Sequence, residues 1–254
     1  MLYSKGAKGA VMNSLMSPSY RPLYDQIKIL ITQSLIAGEW KPGDSIPSEI
    51  DLANRYKVSQ GTVRKAIDEL AAENILIRRQ GKGTYVASHT TEISSTRFLR
   101  INRDDGKVEY PISQFLSVTR EKAPEVSANL LELRVGAGIY CIKRILSYKN
   151  KAQIFDEIHI PVNYFKGLDE SMVKSFSGSL YSFFETRFGI TMIRAEEHIK
   201  AVAATSEVAK LLMVPERQPL LQVDRVAFTY GDRPVEWRRG LCNTDKFSYV
   251  TEMS

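Results

Sequence analysis

Two short segments near the N-terminus carry side chains that could hydrogen-bond to nucleic acid. In the first, Gln60 and Arg64 are one turn apart and lie on the same face of a predicted helix. In the second, Lys82 lies between Gly81 and Gly83, and these glycines would let the backbone approach a phosphate closely. Because amide and guanidinium groups can bond base edges in a major groove, the two segments predict DNA as a partner. The candidate DNA contacts are Ser48, Ser59, Gln60, Gly61, Thr62, Arg64, Lys65, Arg78, Gln80, Gly81, Lys82 and Gly83.

Three predicted helices and a hairpin would hold these side chains in place. Apolar residues spaced three and four apart predict a first helix with Pro22 at its first position, an end at Gly38 and one buried stripe. The stripe consists of Leu23, Ile27, Leu30, Ile31 and Leu35. Ser48 and Ser59 stand at the N-caps of two further short helices, and strand-like residues over 75–86 predict a hairpin with a glycine-rich tip. This order is that of a winged helix-turn-helix, in which the last helix enters the major groove.

Either basic segment taken alone could be an ordinary surface. An exposed helix face would explain residues 60–65, and a solvated hairpin end would explain residues 78–82. The order helix, turn, helix and basic hairpin favours DNA binding, because all of these parts are needed to place one helix in a groove.

The same segment resembles the GntR family of bacterial transcription regulators. The resemblance rests on Pro22-Leu23-Tyr24, Pro42-Gly43-Asp44, Ile46-Pro47-Ser48-Glu49, Leu52-Ala53, Val58-Ser59, Thr62-Val63-Arg64 and Gln80-Gly81-Lys82-Gly83-Thr84-Tyr85-Val86. It implies that Thr62 and Arg64 contact DNA from the recognition helix and that Gly81 reaches the minor groove. Family members commonly carry arginine where this chain has Ile50 and Gln60, and each arginine is a candidate base or phosphate contact. We therefore expect an operator that departs from the family's usual half-site.

A second domain is predicted beyond a linker. Residues 88–96 are rich in Ser and Thr and separate a DNA-binding domain over 19–87 from a second domain over 97–254, while residues 1–18 are predicted to be a mobile tail. Strand-like runs lie near 108–118, 138–148, 152–160, 190–204, 219–230 and 233–243, with short helices near 124–132, 169–176, 179–188 and 205–213. This mixture predicts an α+β domain built on an antiparallel sheet.

One helix of the second domain combines a core face with a possible anion site. Leu180, Phe183, Phe184 and Phe188 form an apolar face between Ser179 as N-cap and a glycine stop at 189. The free amide groups at its N-terminus, together with the hydroxyls of Ser179 and Tyr181, would suit a carboxylate or a phosphate. A plain capped helix remains the equally open alternative.

The second half also resembles the effector domain of the HutC subfamily of GntR regulators, whose fold is similar to that of chorismate lyase. The matching residues are Arg144, Asp156-Glu157, Ile160-Pro161, Ser179-Leu180-Tyr181, Arg194-Ala195-Glu196 and Pro234-Val235-Glu236. The resemblance implies an effector site, with candidate residues Arg144, Asp156, Ser179, Leu180, Tyr181, Arg194 and Glu236. Sugar-phosphate sensors of this type have a second arginine where this chain has Leu146, and one arginine holds a dianionic phosphate less well than two. A carboxylate or other singly charged metabolite is therefore favoured modestly, and Arg144 and Glu236 could instead be ordinary ion-paired surface residues.

Composition limits the other possibilities. The 254 residues suit two domains, with 43% hydrophobic and 25% charged residues, and the net charge of +6 favours a polyanionic partner. Cys141 and Cys242 are predicted to be buried thiols, and the three histidines are scattered, so we expect no metal, cofactor or disulfide. No apolar stretch approaches the ~18 residues of a membrane span, and we expect a cytoplasmic, nucleoid-associated bacterial protein.

Three functional hypotheses follow from these residues. The leading one is a homodimeric repressor that a small anionic metabolite releases from a palindromic operator, although the sign of the regulation stays open. The second is an enzyme, but no catalytic constellation stands out, so we expect none. The third is an RNA-binding or architectural protein that uses the winged helix without sensing a ligand.

Overall fold

Three helices and a hairpin form the N-terminal unit of the computed structural model, which describes residues 21–89 and 98–251. The elements are α1 (Leu23–Ile36), α2 (Glu49–Tyr56), α3 (Gln60–Ala72), β1 (Leu76–Arg79) and β2 (Gly83–Val86). The hairpin pairs Arg79 with Gly83 around its tip. The winged helix-turn-helix predicted from the sequence is therefore present. The predicted tail over 1–18 and most of the predicted linker, from residue 90 onward, lie outside the described residues.

The helix ends follow the predicted capping chemistry with one difference. The Ser48 hydroxyl accepts the Asp51 N–H at 3.2 Å, and the Ser59 hydroxyl accepts the Thr62 N–H at 3.2 Å. Both serines are the expected N-caps. Pro22, however, is the N-cap of α1 rather than its first helical residue, because its ψ of 144° is extended.

The apolar stripe of α1 is narrower than predicted. Ile27, Ile31 and Leu35 are buried, but Leu23 and Leu30 are 50% and 41% exposed. The buried residues pack against α2 and α3 in one core that also takes in Ile193 and Tyr230 from the C-terminal unit. The two units therefore share apolar contacts, which fix the N-terminal unit against the C-terminal unit.

The C-terminal unit is built on a six-stranded antiparallel sheet with strand order β4-β5-β6-β9-β8-β7. Its strands are β3 (Ile101–Arg103), β4 (Ile112–Lys122), β5 (Gly138–Tyr148), β6 (Lys151–Pro161), β7 (Arg194–Ala203), β8 (Pro219–Thr229), β9 (Arg233–Cys242) and β10 (Phe247–Tyr249). Its helices are α4 (Glu125–Leu130), α5 (Glu170–Ser175), α6 (Leu180–Phe188) and α7 (Ser206–Leu212). The predicted α+β architecture is confirmed. The exceptions are β4 and β7, which each start four residues later than predicted, and the small β3–β10 sheet, which was not predicted.

Helices cover both faces of the large sheet. On one face, α5 and α6 pack on β5, β6 and β9 through a cluster that contains Phe183 and Phe184, both fully buried. On the other face, α7 packs on β5 and β6. Ser179 caps α6 by accepting the Ser182 N–H at 3.1 Å, and Gly189 ends it in the left-handed conformation. The core role predicted for this helix is confirmed, although Phe188 is only partly buried.

Candidate DNA interface and effector cavity

The predicted recognition helix presents its first two turns to solvent. Gln60, Gly61, Arg64 and Lys65 are exposed, as the sequence predicts for groups that reach base edges. The Thr62 hydroxyl lies 2.9 Å from that of Ser59, so both take part in the cap. Lys65 has its ammonium 3.8 Å from the centre of a tyrosine ring on α1, which directs it away from the first turn.

A carboxylate that sequence reasoning missed connects these side chains. Glu49 Oε2 accepts hydrogen bonds from Arg64 Nε at 3.0 Å and from Gln60 Nε2 at 3.2 Å. Its Oε1 accepts from Arg78 Nη1 on β1 at 3.0 Å. Arg78 also donates two hydrogen bonds to Asp68 on α3, at 2.9 and 2.6 Å. The recognition helix and the wing are therefore joined through one network.

The wing has the geometry expected of a glycine-tipped hairpin. Gly81 and Gly83 have φ values of +69° and +101°, which residues with a Cβ rarely adopt. Gln80 and Lys82 are exposed at the tip. The Arg79 guanidinium lies 4.3 Å from the centre of a tyrosine ring on β2, which braces the tip. Backbone and basic side chains are thus presented together, as a minor-groove or phosphate contact requires.

A cavity of about 500 Å³ lies between the sheet and the N-terminus of α6. Five of the seven predicted effector residues line it: Arg144, Asp156, Ser179, Leu180 and Tyr181. Three further arginines, Arg100, Arg225 and Arg238, also line it and were not predicted. The structure therefore brings the main part of the predicted site together and adds cationic groups from β8 and β9.

Strand register explains how the charged groups meet. Arg144 on β5 lies directly opposite Asp156 on β6, and its Nε donates to Asp156 Oδ2 at 2.8 Å. Arg238 Nη1 lies 3.4 Å from the same oxygen. Gly240 is opposite Asp156 on β9, and a Cβ there would lie 3.1 Å from Asp156 Oδ1. Gly240 therefore leaves room for the Asp156 carboxylate. The strands that carry these charged groups form the floor of the cavity.

Each of the three buried arginines of the cavity has its own carboxylate. Arg238 donates to Glu236 at 3.1 and 3.0 Å, and Arg225 Nε donates to Glu197 at 2.6 Å. With the Arg144–Asp156 pair, the cluster contains three guanidinium groups and three carboxylates. It is therefore close to electrically neutral, which reduces the penalty of burying charge.

The cluster shifts the ionisation of the groups within it. Burial opposes ionisation of Asp156, but attraction to the guanidinium groups of Arg144 and Arg238 outweighs it and lowers the pKa of the carboxyl. Burial and the nearby carboxylate of Glu236 raise the pKa of Tyr181 to about 12. Tyr181 therefore stays protonated at neutral pH and can act as a hydrogen-bond donor.

Two predicted effector residues lie outside the cavity lining. Glu236 is fully buried beneath it and accepts the Tyr181 hydroxyl at 2.8 Å, so it supports the site from behind. Arg194 lies on the opposite sheet face, 3.7 Å from the Phe228 ring centre, and donates to Asp232 at 2.7 Å. Because Arg144 is only 6% exposed and Glu236 is 0% exposed, neither is an ordinary surface residue.

The rest of the cavity wall is mainly apolar. Leu146, Ile154, Val223 and Cys242 line it beside the charged floor. Leu146, which by the resemblance stands at the position of the second arginine in sugar-phosphate sensors, contributes an apolar contact to this wall. Both cysteines are buried thiols as predicted, and burial raises the pKa of each.

Helix α6 also holds the beginning of the linker. Glu185, one turn after Tyr181, accepts the His89 N–H at 3.0 Å and hydrogen bonds from the Ser88 and Thr191 hydroxyls. The His89 ring packs 5.6 Å from the Tyr181 ring. The first two residues of the predicted linker thus pack against the C-terminal unit. One helix therefore contacts both the cavity and the segment that leads to the DNA-binding unit.

Two family profiles match the chain. Residues 23–86 match the profile described as bacterial regulatory proteins, gntR family, and residues 108–248 match the UTRA domain. The first range covers the helices and the hairpin, and the second covers the six-stranded sheet and its helices. No helix in the described ranges is long and apolar enough to cross a membrane.

Similar proteins cover nearly the whole chain. The "Probable fructoselysine utilization operon transcriptional repressor" of Shigella flexneri is 30% identical over 241 residues, which is 92% of this chain and 96% of that protein. The mannosyl-D-glycerate transport/metabolism system repressor MngR of Escherichia coli is 27% identical over 91% of this chain and 95% of its own length. The ligand-binding domain of a GntR-family regulator from Bordetella bronchiseptica is 41% identical with a TM-score of 0.59, covering 62% of this chain and 98% of that domain.

Proposed function

The chain belongs to the GntR family of bacterial regulators and carries a UTRA domain, and from this premise we propose a homodimeric repressor of the HutC subfamily. The chain is a ligand-responsive, DNA-binding transcription regulator and not an enzyme, since the matched family and the named relatives are regulators. In our proposal, a small anionic metabolite in the cavity releases the dimer from a palindromic operator.

This mechanism rests on the observation that α6 contacts both the cavity and the start of the predicted linker. Its first residues line the cavity, while Glu185 binds the backbone of His89 at the start of the segment that leads to the DNA-binding unit. A ligand that moves the N-terminus of α6 would therefore also move the attachment of the winged helix. Only a differential affinity of the ligand for the two arrangements can shift their populations.

The dimer and the palindrome follow from the size of one winged helix. A single recognition helix reads only a half-site, and two-fold proteins match operators with two-fold symmetry. We propose that α3 reads bases through Gln60 and Arg64 and that the wing contacts phosphate or the minor groove through residues 80–83. Ile50 is 58% exposed beside this surface, so an apolar group stands where an arginine is common. This supports an operator that departs from the usual half-site.

The cavity favours a singly charged effector over a phosphate dianion. The three buried guanidinium groups are already paired with carboxylates, and Lys174 in the lining pairs with Glu170. The exposed Arg100 would therefore compensate only one charge of a dianion. Within the described ranges, Arg144 Nη1 has no hydrogen-bond acceptor and is available to a carboxylate. The apolar wall would contact the rest of the ligand. Two relatives are named for fructoselysine and mannosyl-D-glycerate, compounds that both contain a carboxylate.

We expect the effector to depend on Arg144 and not on Arg194. In a thermal-shift screen of metabolites, a ligand at 100 times its dissociation constant should stabilise the protein by ~2.7 kcal/mol. Arg144→Gln should remove this shift because it deletes the available guanidinium, whereas Arg194→Gln should keep it because Arg194 lies on the other sheet face. A shift that survives Arg144→Gln but is lost in Arg194→Gln would contradict the assignment of the cavity.

We expect Glu185→Gln to weaken the link between ligand and DNA. The substitution removes a buried negative charge that accepts the His89 N–H, while the cavity lining stays intact. Ligand should still bind, but its effect on operator affinity should fall from a typical coupling of ~5–150-fold toward none. Electrophoretic titrations with and without ligand measure this change, with the exposed Glu207→Gln as the matched control. An unchanged coupling in folded Glu185→Gln protein would rule out this route.

Non-specific nucleic-acid binding without a sensor is the remaining alternative. The match to the UTRA domain supports a ligand sensor. Selection of operator sequences tests whether DNA binding is specific. A specific regulator should prefer its selected duplex over random DNA by ~10³-fold or more at fixed salt. A flat preference across sequences would favour the architectural alternative.

A further inference from the structure

We propose that Glu49 is a positioning residue for DNA readout, whose carboxylate holds Arg64 of the recognition helix and Arg78 of the wing in one arrangement. The proposal rests on the DNA contact assigned to Arg64 in the proposed function. Neither the sequence patterns nor the family resemblance gave Glu49 a role. Its first-turn position in α2 places it next to α3 and β1 at once.

Both oxygens of the Glu49 carboxylate accept hydrogen bonds. One oxygen accepts from Gln60 and Arg64 at 3.2 and 3.0 Å, and the other accepts from Arg78 at 3.0 Å. The Glu49 side chain is 15% exposed, much less than the arginines that it binds. Burial opposes its ionisation, but the hydrogen bonds from Arg78, Arg64 and Gln60 outweigh burial and lower its pKa. Glu49 is therefore a fixed negative charge at neutral pH.

A negative charge on a surface that faces DNA repels the phosphates and weakens binding. Glu49 should therefore make a favourable contribution to binding that offsets this repulsion. The contact to Arg64 supplies this contribution. Glu49 binds Nε of Arg64, and within the described residues neither terminal nitrogen of that guanidinium has a hydrogen-bond partner, so both are available side by side at its end. This is the end-on fork that bonds O6 and N7 of guanine. Restricting Arg64 before binding also lowers the entropy that is lost when the contact forms.

The contact to Arg78 extends the effect to the wing. Arg78 is held from two sides, by Glu49 on α2 and by Asp68 on α3. The base of the wing is therefore fixed relative to the recognition helix by charged hydrogen bonds. A carboxylate is required here because a neutral amide oxygen accepts less strongly and Gln would offer a donor in place of one acceptor.

The test measures base preference position by position. Arg64→Ala first identifies the base pair at which preference depends on Arg64, using the operator selected with wild-type protein. Glu49→Gln should then lower preference at that same base pair by at least ~5-fold, because the guanidinium is no longer aligned. Affinity for random DNA should stay equal or rise, and the slope of log K against log salt should steepen by up to ~1, since a negative charge is lost.

Two matched variants separate this effect from others. Glu73→Gln makes the same charge change at the far end of α3, where Glu73 pairs with Lys28, and should leave base preference unchanged. Asp68→Asn removes a partner of Arg78 but none of Arg64. It should keep the preference at the Arg64 position.

Several results would overturn the positioning role of Glu49. Unchanged preference at the Arg64 position in Glu49→Gln overturns the proposal. So does a proportional loss of specific and random binding together with a lower melting temperature, or a failure to fold, because each marks a structural role. If Arg64→Ala alters no base preference, the assigned contact itself is wrong, a result distinct from failure of Glu49→Gln alone.

Discussion

Arg64→Ala should remove operator preference while leaving the fold and the random-DNA affinity nearly unchanged. A bidentate contact from arginine to guanine is worth ~1–3 kcal/mol of discrimination, and a dimer would lose it in both half-sites. We therefore expect operator affinity to fall by ~30-fold to ~10⁴-fold. The Arg64 side chain is exposed, and among the described residues its ion pair is with Glu49, so its removal should cost little stability.

The measurement is a competition titration of the selected operator against random duplex at one salt concentration. Lys28→Ala serves as the control, because it removes a positive charge from the same domain at a residue that pairs with Glu69 and Glu73. It should weaken both DNAs similarly and only slightly. Retention of full operator preference in Arg64→Ala would mean that another residue carries base readout.

Asp156→Asn should cause the largest loss of stability in the effector unit. The substitution keeps the shape of the side chain but leaves the buried guanidinium of Arg144 without its carboxylate and removes one of the partners of Arg238. Breaking a buried ion pair in this way typically costs ~3–5 kcal/mol. Urea unfolding of both proteins measures the difference. Asp232→Asn is the control, since Asp232 is exposed, pairs with Arg194 and has a positive φ that Asn tolerates.

The pH dependence of this difference has a definite sign. Because the pKa of Asp156 is lowered in the folded state, the carboxylate stabilises the fold above its unfolded pKa of ~3.9 and loses this effect as pH falls through the folded value. The difference between wild type and Asp156→Asn should hold from neutral pH down to ~4 and shrink below it. A difference that grows on acidification, or one as small as that of Asp232→Asn, would contradict the buried-pair account.

Local patterns in the sequence predicted the secondary structure well. Ser48, Ser59 and Ser179 mark helix starts because a side-chain oxygen that accepts an N–H of the first turn is a local requirement. The prediction for Leu23 and Leu30 was wrong for a physical reason. Helical periodicity shows which side of α1 faces the core, but the neighbouring elements decide how wide the covered face is.

The effector site was predictable only in part. Ser179 and Tyr181 belong to a local motif. Arg225 and Arg238, by contrast, line the cavity only because β8 and β9 pair with each other in the sheet. Alternation along a strand places Arg238 with Glu236 on one face but does not tell which face a helix covers. The same alternation accounts for Arg194, which is three residues before Glu197 and therefore lies on the opposite face.

The connection between the two units was invisible in the sequence. Ser88 and His89 belong to a segment rich in Ser and Thr, which predicts a linker, yet Glu185 binds both from 96 or more residues away. The available signal was a glutamate directly after Phe183 and Phe184 of the predicted core face, because a charge at the edge of a core requires partners. Glu49 was hidden for a similar reason, since an acidic residue in a first helical turn usually reflects the helix dipole.

Reciprocal coupling is the most direct test of the mechanism proposed here. The dissociation constant of the operator should be measured with and without saturating effector, and that of the effector with and without saturating operator. If the cavity and the recognition helices are linked through α6, both constants should rise by the same factor, of the order of ~5–150. If effector binds in the cavity and operator affinity stays the same, the cavity does not control DNA binding and the proposed mechanism is wrong.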